Sequence, residues 1–167
     1  MKRGLLLLLF VFLAYSASSQ VVVYQEDFEP PTLDNLVTST QTVPGIPDWG
    51  INSNLSISGI HSDTCKVKNL GTTYLTTTAF NTVGNTYVIL EFNHICKINF
   101  LDIAEVEASG DNGVTWVKLT GSNYLGTSTF ASNGARFGPN VYGLDWYPQN
   151  NLEIPTSAWF KSEVFDV

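Results

Sequence analysis

Apolar and polar positions in this chain recur with a period of two rather than 3.6. Ala104-Glu105-Val106-Glu107-Ala108 alternates strictly, and Trp116-Val117-Lys118-Leu119 alternates in the same way. Each predicts a strand with one wet face and one dry face. Thr86 to Asn93 places Tyr87, Ile89 and Glu91 on one face and Val88, Leu90 and Phe92 on the other. It continues through Ile95, Cys96, Ile98 and Phe100, a pattern expected of a central strand covered on both sides. Val21 to Tyr24, running into Glu26-Asp27-Phe28-Glu29, predicts a first strand. Pro30-Pro31 ends it, because proline cannot donate to a ladder. Leu55–Ile60, Lys66-Val67-Lys68 and Tyr74–Phe80 predict further short strands, and residues 32–50, with Pro44-Gly45 and Pro47, predict a long loop. No stretch sustains a helical period. Many short strands with turn signals between them predict an all-β chain, an antiparallel β-sandwich of jelly-roll type.

The N-terminus follows a different rule. Lys2 and Arg3 precede an unbroken apolar run, Leu5 to Leu13, and then come the small residues Ala14, Ser16, Ala17, Ser18 and Ser19. This is the order of a secretory signal peptide, cleaved between Ser19 and Gln20. The run is shorter than the ~20 residues that span a bilayer. The expected organisation is therefore a signal peptide over 1–19 and one β-sandwich domain over 20–167. The mature chain is expected to be secreted or held at the cell surface, with no membrane insertion of its own.

Export changes the charge. The full chain has 8 Lys and Arg against 15 Asp and Glu, and loss of Lys2 and Arg3 leaves 6 against 15, a net charge of −9. That balance argues against nucleic acid, whose binding rests on cations at phosphate, and against anionic lipid. It offers carboxylates to Ca²⁺. Export also bears on Cys65 and Cys96. An oxidising compartment permits a disulfide between them, whereas a core position for Cys96 makes it a small buried hydrophobe. The sequence leaves both open.

One motif is sharp. Ser109-Gly110-Asp111-Asn112-Gly113-Val114-Thr115-Trp116 matches the Asp-box pattern Ser-x-Asp-x-Gly-x-Thr-Trp. Two alternating strands flank it, so it predicts a tight hairpin. Asp111 accepts from nearby backbone N–H groups, Gly113 takes positive φ, and Trp116 with Val106 covers the turn from the sandwich side. Ser109, Asp111, Gly113, Thr115 and Trp116 are thus read as structural, and a single box does not make a propeller.

Other segments fall into a recognisable order. Glu26-Asp27-Phe28-Glu29, Asp48-Trp49, Ser58-Gly59 with Asp63, Tyr74-Leu75 and Val88-Ile89-Leu90-Glu91-Phe92 resemble the succession in MAM-type jelly-roll domains. Phe100 to Trp116, Tyr124, Phe137 and Trp159-Phe160 look like the MAM-like domains of secreted Bacteroidetes proteins, cargo of type IX secretion. The four-cysteine pattern of animal MAM domains and a sorting domain are both missing. The apolar ending Trp159 to Val167 predicts that the domain continues beyond this chain. The resemblance implies an extracellular adhesion or carbohydrate-binding module, sometimes holding a structural cation. For that cation the candidates are Asp27 and Glu29, which share one face of a strand, together with Asp63, as oxygen ligands for Ca²⁺.

Catalytic patterns are sparse. The chain carries no Gly-x-Ser-x-Gly elbow, His-Glu-x-x-His helix or phosphate loop. His94 reads as a hydrogen-bonded, half-buried residue rather than a base, and His61 lies in a polar loop. Glu91, Glu105 and Glu107 offer carboxylates for a glycosidase pair, but Glu105 and Glu107 share the wet face of an alternating strand. Tyr142, Asp145, Trp146 and Tyr147 cluster in a Gly/Asn/Pro-rich stretch. Aromatics there can stack on sugar rings while Asp binds hydroxyls, and their alternative role is to close the end of the sandwich. The expectation is a non-enzymatic binding or adhesion module for an extracellular glycan or protein. The alternative is an N-terminal accessory domain of a secreted protease or glycosidase.

Overall fold

The computed structural model describes residues 20–31, 37–41, 49–66, 71–99, 101–139, 141 and 154–167. Among them the chain is all-β. Eight strands form four antiparallel two-stranded ladders, and the two helical elements are single 3₁₀ turns at Ala131–Asn133 and Ser157–Trp159. Strand β1 (Val37–Gln41) pairs with β4 (Thr73–Thr77), and β2 (Gly50–Asn52) pairs with β3 (Ser62–Thr64). Strand β5 (Ile89–His94) pairs with β8 (Lys161–Asp166), and β6 (Glu107–Ala108) pairs with β7 (Val117–Lys118).

The β5–β8 ladder forms one wall of the core, with Phe165 in the buried cluster and Leu90 and Phe92 packed against it. On β5, Leu90, Phe92 and His94 turn inward while Ile89, Glu91 and Asn93 face out. The register sets Leu90 opposite Phe165, Phe92 opposite Glu163 and His94 opposite Lys161. The other edge of β8 is also used: Leu125 N–H donates to Val164 O at 2.8 Å, and Asp166 N–H to Asn123 O at 2.8 Å. Phe165 is thus fully buried. It stacks on Phe92 at 6.0 Å between ring centroids and meets Phe130 edge-on at 4.9 Å. Leu119, Ala135, Phe137 and Val141 complete the buried cluster, with Val106 and Ala108 packed against it.

Several expected elements differ. Residues 20–29 enter none of the described ladders, and Phe28 has φ +60°, which breaks the two-residue alternation. Leu55–Ile60 forms no strand: residues 57–60 are bends, and Ser56 Oγ donates back to Gly59 O and closes a local turn. The expected loop at 32–50 contains β1. Strand β5 ends at His94 instead of running to Phe100, and only one of its faces is covered.

Candidate functional site

A buried polar cluster is built around Glu163, which sits on β8 between Lys161 and Phe165 in the inward register. Its side chain has no exposure to solvent. Three side chains from two segments, β5 and the 124–128 turn, supply its hydrogen bonds. His94 Nε2 on β5 lies 2.9 Å from Oε1, while Tyr124 Oη donates to Oε2 at 2.6 Å and Ser128 Oγ donates to Oε2 at 2.9 Å. Ser128 N–H in turn donates to Tyr124 Oη at 2.7 Å, fixing the phenol. An acid buried this deeply requires such partners, since an unpaired one is costly.

Electrostatics follow from the burial. His94 is packed 4.4 Å from the Phe137 ring, and burial pushes its imidazole below the usual range, against the opposing pull of the Glu163 hydrogen bond. Burial raises the Tyr124 phenol, and the bond to Glu163 adds to that. The Cys96 thiol is pushed up to about 12 by burial and then by Glu163, so it is no nucleophile at neutral pH. Cys65 and Cys96 do not bond to each other; both stand as half-buried thiols.

Ser128 and His94 bind opposite oxygens of the same carboxylate. A nucleophile–base relay instead sets the hydroxyl against the imidazole, with the carboxylate behind it. The arrangement here ties three segments together.

A second cluster joins the N-terminal segment to the turn before β3. Glu29 Oε1 accepts from the backbone N–H groups of Ile60 and His61, both at 2.6 Å, and Oε2 lies 2.9 Å from His61 Nδ1. The bond to His61 leads in lowering the Glu29 carboxyl below its ordinary range. Asp27 Oδ1 instead accepts from Glu29 N–H, and Asp63 Oδ1 from Thr64 N–H. Asp27 and Glu29 do not share a strand face, because Phe28 is left-handed. Among the described residues no three His, Cys, Asp or Glu side chains are gathered as a metal centre.

The third cluster is the turn between β6 and β7. Asp111 Oδ1 accepts from Thr115 N–H and from Ser109 Oγ, each at 2.8 Å, and Oδ2 accepts from Thr115 Oγ1 at 2.6 Å. Gly113 N–H donates to Ser109 Oγ at 2.8 Å. Gly113 has φ +82°, a region open to glycine at little cost. The Thr115 bonds hold the Asp111 carboxyl at about 2. Trp116 lies over Gly113 but remains 46% exposed, so it covers the turn from outside, while Val106 packs on the core.

Glu91, Glu105 and Glu107 are exposed, and Glu105 pairs with Lys118. Tyr142, Asp145, Trp146 and Tyr147 lie outside the described residues. Sequence reasoning missed Glu163, although a signal was there: it stands two residues before Phe165, on the same face of an alternating strand. Among the described residues no helix is long and apolar enough to cross a membrane. Comparison with protein-family models, curated proteins and solved structures finds no match.

Proposed function

We propose that the chain is exported and acts outside the cytoplasm as a non-catalytic module that binds a glycan or a protein. Its architecture is that of a jelly-roll sandwich of the MAM-like kind. The observation that carries this reading is the closure of the Glu163 cluster. Its Ser, His, Tyr and Glu are the residue types most suggestive of catalysis, yet all three donors point at one carboxylate that solvent does not reach. Such a group fastens strands; it does not meet a substrate.

Two further features support the reading. Leu119, Phe130, Phe137 and Phe165 meet in one apolar cluster against Leu90 and Phe92 of β5, the kind of packing a sandwich requires. Val114, Trp116 and Val117 stand exposed around a turn held by its own hydrogen bonds, a rigid mount for contact residues.

The test is expression of the full chain with its own N-terminus. The exported product should begin at Gln20 and be retained on members of a glycan or matrix-protein array. Retention of the chain inside the cell, or turnover of glycoside or peptide substrates, would count against the reading.

A further inference from the structure

The turn Gly59-Ile60-His61 is shaped around a carboxylate. Two successive backbone N–H groups converge on one oxygen, and an imidazole nitrogen meets the other. Successive N–H groups of this kind form an anion-binding concavity. Gly59 has φ +61°, and a side chain there would collide with the bound carboxylate. The socket therefore depends on glycine twice, for conformation and for room.

Its occupant is Glu29, on a segment that enters none of the described ladders. Tyr24 on the same segment meets the Phe80 ring at 4.9 Å between centroids. At the rim, Ile57 and Ile60 are exposed, at 50% and 64%. An apolar rim beside a carboxylate socket matches a sugar acid, which carries an apolar ring face and a carboxylate on one small body.

We infer that the Gly59–His61 turn is a carboxylate-binding site with Glu29 as its resident plug, and that it takes the carboxylate of an acidic sugar when Glu29 leaves. The sugar part rests on the binding role proposed above; the socket itself does not. Glu29 competes at high effective concentration, so the wild-type chain should respond weakly and Glu29→Ala strongly.

The experiment uses the exported full chain carrying Glu29→Ala and follows the backbone amide signals of Ile60 and His61 by NMR. Acetate and glucuronate should each shift both signals saturably, whereas glucose and chloride at equal ionic strength should not. Adding Gly59→Val should abolish the response while the Thr115 amide, in the β6–β7 turn, stays unchanged as a folding control. No response to either acid would overturn the socket, leaving the broader binding role to the array screen. A response to acetate without glucuronate would overturn the sugar assignment.

Discussion

His94 and Glu163 meet across the β5–β8 ladder, the imidazole Nε2 2.9 Å from a carboxylate oxygen that solvent does not reach. They are diagonal rather than opposite, since the register pairs Phe92 with Glu163 and His94 with Lys161. The diagonal places the ring between Phe92 and Phe137. One polar contact therefore sits inside the aromatic layer and fixes which residues of the two strands face inward.

Removing the acceptor should be severe. Glu163→Ala leaves the donors of His94, Tyr124 and Ser128 aimed at a void. Breaking a buried group of this kind costs about 3–5 kcal/mol. Glu163→Gln should cost less, because the amide oxygen still accepts from Tyr124 and Ser128 and neutral His94 can present a lone pair to the amide. Urea unfolding of the two variants checks the order.

Phe165→Ala removes a ring with no exposure that touches Phe92, Phe130 and Tyr124. The expected loss is about 3–5 kcal/mol. It should exceed the loss from Ile89→Ala, on the open face of β5, in the same unfolding assay.

Acid should weaken the fold through His94. Its folded imidazole binds a proton less readily than the ordinary value of 6.5 because it is buried. The unfolded chain therefore takes up that proton first as pH falls. This contribution is complete above about pH 6.5 and is lost as pH falls through the lower folded value. His94→Gln should flatten stability against pH in that window, and an unchanged slope would remove His94 as the cause.

Asp111→Ala should open the β6–β7 turn without unfolding the core, because its hydrogen bonds are local. The Thr115 amide should lose protection in hydrogen exchange while β5 amides keep theirs. In the intact chain the Asp111 contribution is present above the ordinary carboxylate value of 3.8 and lost as pH falls toward about 2.

These elements also mark what the sequence could reveal. The 109–116 turn was readable because its donors and acceptors lie within four residues of each other, so composition and spacing carry the geometry. The burial alternation at 104–108 was readable for the same local reason. The His94–Glu163 contact joins residues 69 apart, and no local pattern sets that register. The Glu29 socket was hidden too: it joins residues 31 and 32 apart and rests on a left-handed Gly59. A first strand over 21–29 was expected from β-branched residues whose tertiary partners never formed a ladder.

The central claim is binding without turnover, and one measurement addresses it directly. The exported full chain is incubated with the ligand that retains it on the array, and the ligand is then recovered for mass spectrometry. The account predicts saturable binding and a ligand of unchanged mass after prolonged incubation. A ligand cleaved at a rate proportional to protein concentration, with cleavage lost in Glu163→Gln, would contradict it and make the buried cluster a catalytic one.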